Sequence, residues 1–172
     1  MGKFYTGVGS RETPDKVMDL MTRLARFLDS KGYILRSGGA DGADKAFENG
    51  AGIDKIIYKV KDSTPECEAI AERIHPAWNK CSDYARKLHG RNIKQVLGDD
   101  LKTPSDFLLC WTKEGKDVGG TRTAIVLARE KGIPVFNLFY QESLYVFLSM
   151  YFDNEKELFL FDYRELTWMD SI

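Results

Sequence analysis

Three glycine-rich turns constrain the fold of this chain more than any other feature, because each lies between an apolar run and an amphipathic segment. The turns are Gly9-Ser10-Arg11, 38–42 and Gly119-Gly120. The apolar runs that predict strands are 3–8, 33–36, 55–60, 106–111 and 133–138. Strands that alternate with helices in this way are typical of an α/β fold with a mostly parallel sheet between two layers of helices.

Helix signals support the same arrangement. Thr13-Pro14 predicts a helix start, apolar residues recur at three- and four-residue spacing between 17 and 28, and Lys31-Gly32 predicts the helix end. The segment 64–97 is also helical in pattern, with Pro65 at a first helical position and Pro76 breaking it into two pieces. Strands and helices together predict a three-layer domain, with helices on both faces of an open sheet.

Length and charge limit the classes of function. The 172 residues suit one domain spanning 1–172, with a core at about 3–138 and an extension at 139–172. The net charge of −1 gives no overall field that would attract nucleic acid, and no apolar run is long enough to span a membrane. The first residues read as a strand rather than as a secretory signal, so we expect a cytoplasmic protein with no membrane partner.

The sequence contains no recognisable motif for binding a metal or a cofactor. Three cysteines form no CxxC pair, and only two histidines accompany them. The chain contains neither the GxGxxG fingerprint of dinucleotide cofactors nor the GxxxxGK[ST] loop of nucleoside triphosphatases. We therefore expect no metal and no cofactor.

The extension at 139–172 is rich in aromatic residues. A short helix to about residue 149 and a last strand at 157–161 would cap one edge of the sheet. The alternative is a surface for forming a dimer. We favour the cap, because most aromatic residues of a small domain serve its own core.

The three glycine turns predict a ligand site. They follow the first, second and fourth predicted strands, and in a parallel sheet such loops emerge at one edge. Glycine lets the backbone approach a ligand, and the helix start that follows directs N–H groups and a partial positive charge towards it. We expect this edge to bind a phosphate group, although any one glycine turn can also serve tight packing alone.

Polar residues in these loops suit the parts of a nucleotide. Arg11 offers a fork of donors to phosphate, Ser10 and Thr121 offer hydroxyls, and Asp41 or Asp44 would accept from ribose hydroxyls. For Asp41 the alternative is a helix N-cap. The residues in and around these loops that we predict to bind ligand are Gly9, Ser10, Arg11, Ser37, Gly38, Gly39, Ala40, Asp41, Asp44, Trp111, Gly119, Gly120 and Thr121.

Two further functions depend on other residues. Glu48 and Glu114 are candidate catalytic carboxylates for cleaving a glycosidic bond, with ordinary solvated surface as the alternative. The segment 80–94 has a net charge of +4, so it is either a nucleic-acid patch or the solvated face of a basic helix. Two histidines and three scattered cysteines support no nucleophilic triad.

Four segments in this order resemble the SLOG superfamily, which groups the DNA-processing protein A family (DprA/Smf) with the LOG phosphoribohydrolases. The segments are 5–14, 37–44, Gly90-Arg91-Asn92 and 119–124. The resemblance covers about 3–138 and implies a modified Rossmann domain that binds nucleotides or nucleotide-derived molecules. The resemblance further implies that Arg91 and Asn92 lie beside the nucleotide pocket, so we add both to the predicted ligand residues. It also implies a bacterial cytoplasm, since small stand-alone members are often found in bacteriophages, and assembly as a dimer or higher oligomer.

Departures from the family pattern separate the functions that the resemblance implies. LOG enzymes carry a catalytic glutamate in a PGGxGTxxE motif, whereas the helix here reads Thr121-Arg122-Thr123-Ala124-Ile125-Val126. We therefore expect a sensor or sequestering protein for an ADP-ribose-like molecule or a cyclic nucleotide rather than an enzyme. The alternatives are a LOG-like N-glycosidase that uses Glu48 or Glu114, and a DprA-like single-stranded DNA-binding protein that depends on Arg86, Lys87 and Lys94.

Overall fold

A five-stranded, entirely parallel sheet forms the centre of the protein, which is represented by a computed structural model that describes residues 2–159. The strands are β1 (Lys3–Gly9), β2 (Tyr33–Ser37), β3 (Ile56–Ile57), β4 (Phe107–Trp111) and β5 (Val135–Asn137). Their order across the sheet is β3-β2-β1-β4-β5, with Tyr5 in register with Leu35 on one side and with Phe107 on the other. The predicted α/β class is confirmed.

Within residues 2–159, six α-helices connect and follow the strands. They are α1 (Asp15–Ser30), α2 (Ala43–Gly50), α3 (Pro65–Ile74), α4 (Asp83–Leu97), α5 (Arg122–Glu130) and α6 (Gln141–Tyr151). Short 3-10 segments lie at Val60–Asp62, Trp78–Lys80, Lys113–Gly115 and Asp153–Phe159. Thr64 caps α3 by accepting from the N–H of Cys67, and Pro76 separates α3 from the segment before α4, so the predicted break is confirmed.

The helices cover both faces of the sheet. Helices α1, α2 and α6 bury their apolar residues against one face, and α3, α4 and α5 against the other. The neighbouring residues Leu108 and Leu109 of β4 are both fully buried, each in the core of a different face. A central parallel strand is apolar throughout for this reason, since both of its faces are covered.

The aromatic extension closes the first of these cores. Phe147 of α6 packs on Phe107 of β4 with ring centroids 4.9 Å apart. Phe152 and Phe159 contact Phe27 of α1 at 4.9 and 5.4 Å. The predicted cap is confirmed, but the last strand is wrong for residues 157–159, which lie in a 3-10 segment that packs on α1 instead of on a sheet edge. Residues 160–161 lie outside the described part of the chain.

The strands at the sheet edges are shorter than predicted. The run 55–60 pairs with β2 only through Ile56–Ile57. One more hydrogen bond follows, from the N–H of Tyr58 to the carbonyl of Ser37, and a 3-10 segment then begins at Val60. Among residues 2–159, no helix has both the length and the apolarity needed to cross a membrane.

Candidate functional site

A cavity of about 490 Å³ opens at the carboxyl edge of the sheet, where β1 and β4 lie side by side. The chain leaves β1 towards β2 on one side and later enters β4 on the other, which makes this a topological switch point. Crevices at such points are where open parallel sheets bind their ligands. The loops after β1, β2 and β4 and one side of α4 form its walls.

Ten of the predicted ligand residues line this cavity together. They are Gly9, Ser10, Arg11, Ala40, Asp44, Arg91, Asn92, Gly119, Gly120 and Thr121. At the rim, the Lys113 ammonium lies 3.5 Å from the Glu12 carboxylate and so joins the loop after β4 to the loop after β1. The three glycine turns thus converge in space, as their positions after parallel strands predict.

Asp44 ties two of the converging loops together. One carboxylate oxygen accepts from the N–H of Gly9 at 3.1 Å, and the other accepts from the N–H of Ala40 at 3.4 Å. The residue is only 5% exposed, and this burial raises its pKa to about 6, against the opposing effect of the backbone hydrogen bonds and of Arg91. Asp44 therefore titrates close to neutral pH.

Two arginines bring positive charge to the cavity. Arg91 donates to the carbonyl oxygens of Gly38 and Tyr58, the latter at 2.9 Å, so its guanidinium is held by the loops after β2 and β3. Burial lowers the pKa of Arg91, the charge of Asp44 opposes this shift, and the charge of Arg11 adds to it. Arg11 is thus close enough to Arg91 for their charges to interact, and both lie beside the same cavity.

The glycines of the site have different physical roles. A methyl group on Gly9 would lie 2.6 Å from the Cβ atom of Ala43, and one on Gly42, which has a φ of +84°, would lie 2.5 Å from the carbonyl of Ser10. Packing therefore requires these two glycines. A methyl group on Gly120 would meet no atom within 4 Å, and the Gly120 carbonyl accepts from the Asn92 amide at 2.9 Å. The space in front of Gly120 is open to a ligand.

Gln95 and His89 line the cavity although the sequence gives little sign of them. Gln95 is 1% exposed, and its side-chain nitrogen has no hydrogen-bond partner within residues 2–159. It follows Arg91 by one helical turn, which is the signal that would have found it. Burial and the neighbouring His75 lower the pKa of His89, which favours its neutral imidazole.

Five predicted ligand residues do not line the cavity, namely Ser37, Gly38, Gly39, Asp41 and Trp111. Ser37 is buried and donates to the carbonyl of Gly7 at 2.6 Å, and Gly38 contributes only its carbonyl to Arg91. Asp41 is exposed, and Gly42 rather than Asp41 is the N-cap residue of α2, so the alternative role as a cap is wrong as well. Trp111 is buried in the core, where its ring lies 6.2 Å from that of Phe139.

Neither predicted catalytic glutamate lines the cavity. Glu48 lies 3.6 Å from Lys45 and 3.9 Å from Lys55. Glu114 is on an exposed turn, where a hydrogen bond from Lys116 lowers its pKa. Among the described residues, the carboxylates that do line the cavity belong to Glu12 and Asp44.

The basic segment 80–94 does not form a continuous charged face. Arg86 lies over the ring of Trp78 at 5.5 Å and donates to its carbonyl, and Lys94 is 3.7 Å from Asp99. Arg91 faces the loop carbonyls described above. Of the five basic residues in this segment, Lys80 and Lys87 are the exposed ones.

The chain has no significant match among protein-family models, curated proteins or solved structures. The resemblance to the SLOG superfamily therefore stays a prediction carried by the four sequence segments.

Proposed function

We propose that the protein binds a phosphate-bearing nucleotide or a nucleotide-derived molecule in the cavity at the β1–β4 switch point. The observation that carries this proposal is the convergence of the loops after β1, β2 and β4, with Arg11 and Arg91, on one cavity of about 490 Å³. A volume of this size suits a small organic ligand. Two arginines beside it suit an anionic one.

The phosphate end of the ligand would lie by Gly119 and Gly120. These residues precede α5, and the first N–H groups of a helix have no partner within the helix. The open space at Gly120 allows close approach, and Arg11 supplies a charged donor from the loop after β1. The phosphate thus receives both backbone donors and a guanidinium.

The other end of the ligand would meet a mixed surface formed by α4 and by Ala124 of α5. Leu88 and Ala124 provide apolar contact for a base, and the amide nitrogen of Gln95 provides a donor that lacks a partner among the described residues. A buried donor without a partner costs roughly 1–3 kcal/mol, so a ligand oxygen that accepts from Gln95 gains binding energy. This combination favours an intact nucleotide over inorganic phosphate.

Binding without turnover is the function that we favour. Glu48 and Glu114 lie outside the cavity, and the LOG glutamate is replaced in the sequence. Together with the SLOG resemblance, this supports a sensor or a sequestering protein for an ADP-ribose-like or cyclic nucleotide signal.

A ligand panel tests the proposal. The purified chain is dialysed against nucleoside monophosphates, NAD, ADP-ribose and cyclic nucleotides, and the retained molecules are identified by mass spectrometry after denaturation. We expect one class to be retained intact at one molecule per site. Retention of none of them, with the chain folded by circular dichroism, would contradict the proposal.

One observation favours an N-glycosidase as a second candidate. Asp44 is a buried carboxyl in the cavity with a pKa of about 6, a value that suits general acid–base work. Release of free base from a nucleoside monophosphate, lost in Asp44→Asn but kept in Glu48→Gln and Glu114→Gln, would establish this activity. Intact recovery of every nucleotide would exclude it for the compounds tested.

A further inference from the structure

His75, Cys81 and His89 form a compact cluster beside the cavity. His75 follows α3, Cys81 lies between the Trp78–Lys80 segment and α4, and His89 is in the middle of α4. Their ligand atoms all lie within 4.8 Å of one another, and all three residues are half-buried. The Cys81 sulfur is 3.8 Å from Nε2 of His75, and the two imidazole centroids are 4.4 Å apart.

We propose that this cluster is a binding site for a zinc ion. Imidazole nitrogen with thiolate sulfur is the donor set that Zn²⁺ prefers over the hard cations Mg²⁺ and Ca²⁺. A tetrahedral zinc with ordinary bond lengths holds its sulfur and nitrogen ligands about 3.5 Å apart. The distance between Cys81 and His75 is already close to this value. Since all three ligand atoms lie within 4.8 Å of one another, side-chain movements of about 1 Å would bring them to the ion.

The surroundings of the rings agree with this assignment. Nδ1 of His89 lies 3.0 Å from the hydroxyl of Thr123, which leaves Nε2 available to the ion. A hydrogen bond on the second nitrogen is the usual way in which proteins orient a metal-binding histidine. Trp78 lies beside both rings, with its centroid 6.1 Å from that of His75 and 6.5 Å from that of His89.

The proton balance of binding is simple. The thiol of Cys81 releases its proton to solvent and binds as thiolate, and the two imidazoles bind in their neutral forms. Nδ1 of His75 now accepts from the N–H of Ala77 at 3.1 Å. That bond is given up whichever nitrogen of His75 binds, because Nδ1 either takes the ion or takes the ring proton.

Three protein ligands leave one position of a tetrahedral ion for water or another small ligand. The ion would join the end of α3, the connection after Pro76 and the middle of α4. Because His89 also lines the cavity, the ion would hold that wall of α4 in place. The zinc site depends only on the three residues of the cluster, whichever nucleotide the cavity binds.

The test uses the full chain without a histidine tag, freed of metal with a chelator. Zn²⁺ is titrated in by calorimetry, and Co²⁺ is added separately to read the visible absorption of a tetrahedral site with a thiolate ligand. We expect one ion per chain and a cobalt–thiolate absorption band. Loss of a group that only hydrogen-bonds a metal ligand weakens metal binding by about 10- to 100-fold. Cys81→Ser and His89→Ala each remove a ligand itself, so each should weaken Zn²⁺ binding by more than that.

Cys67→Ala is the matched control, because Cys67 lies in the neighbouring helix with Thr64 rather than a histidine at its sulfur. It should bind zinc like the unchanged chain. Absence of stoichiometric Zn²⁺ binding by the folded chain, or equal binding by Cys81→Ser, would overturn the proposal. Should Cys81→Ser fail to fold, the cobalt–thiolate band of the unchanged chain and its loss in His75→Asn decide the question.

Discussion

The carboxylate of Asp44, in the first turn of α2, accepts a hydrogen bond from the N–H of Gly9 at the end of β1, at 3.1 Å. The second oxygen of the same carboxylate bonds to Ala40 in the loop after β2. One buried side chain thus fixes the separation of two of the loops that surround the cavity. This contact makes a shared site out of two segments whose bonded residues, Gly9 and Asp44, are 35 residues apart in sequence.

Replacing Asp44 by Asn should change how stability depends on pH. The native pKa of about 6 is above the ordinary value of 3.8, so the folded protein binds more protons than the unfolded chain between these two values. The free energy of unfolding should therefore fall as pH rises from about 4 to 6, by on the order of 2–3 kcal/mol, and then level off. Urea unfolding of the original chain and of Asp44→Asn at several pH values from 4 to 7 measures this dependence of the free energy of unfolding on pH.

Asp44→Asn lacks the titrating group, so its curve should be flatter in that interval. It should also be somewhat less stable at pH 4, because its amide nitrogen cannot accept from a backbone N–H group, whereas the hydroxyl oxygen of the protonated Asp44 can. Parallel curves for the two proteins would show that Asp44 titrates normally.

Gly120→Ala should separate ligand binding from folding. The added methyl meets no protein atom within 4 Å, so stability should stay within about 0.5 kcal/mol of the original. The methyl would occupy the space assigned to the phosphate, so nucleotide affinity should fall at least about tenfold, or 1.4 kcal/mol. Thermal unfolding and ligand titration provide the two measurements.

Gly9→Ala is the matched comparison. Its methyl would lie 2.6 Å from Ala43 and 2.7 Å from the carbonyl of Trp111, which predicts a loss of stability of about 1–3 kcal/mol. If Gly120→Ala binds the nucleotide as well as the original chain, the phosphate does not lie at that turn.

Gln95→Met should affect the ligand more than the fold. Met keeps a similar length and removes a buried nitrogen that has no partner within residues 2–159, so stability should be unchanged or slightly higher. Affinity for the nucleotide should fall, because the ligand loses that donor. Unfolding in guanidinium and ligand titration read the two effects, and a loss of stability above about 2 kcal/mol would mean that Gln95 is needed by the fold itself.

The aromatic extension should behave as part of the core. Phe147 is fully buried against Phe107 and Phe136, so Phe147→Ala should cost about 3–5 kcal/mol. Met150, on the same helix, is 59% exposed, and Met150→Ala should cost less than about 0.5 kcal/mol. Chemical unfolding compares them. A change of oligomeric state in Met150→Ala, measured by sedimentation, would instead support the dimer surface.

The strands, the helix breaks and the converging glycine turns were predictable from sequence because they depend on local signals. Gly9 ends β1, Arg11 follows it, and Gly120 lies in the loop after β4. A parallel sheet brings the carboxyl ends of its strands to one edge, so these positions come together. Trp111 ends a strand in the same way, but the side-chain direction that places it in the core depends on tertiary packing. Glu48 lies outside the cavity for a similar reason, since its lysine partners are set by the packing of α2.

The residues that were missed depend on three-dimensional contacts. Gln95 reaches the cavity only because α4 turns that face towards β1. The residues of the zinc cluster, His75, Cys81 and His89, have no regular spacing, and they meet because the chain breaks at Pro76 and folds back onto α4. No sequence pattern for metal ligands covers such an arrangement.

The most direct test of the nucleotide site is a calorimetric titration of the original chain and of Arg11→Ala with the nucleotide that the panel selects. Arg11 is exposed at the cavity rim, so its removal should leave the fold intact. We expect the original chain to bind one nucleotide per site, and Arg11→Ala to bind it more than about tenfold more weakly. Equal affinity in both proteins would contradict the assignment of this cavity as the phosphate site.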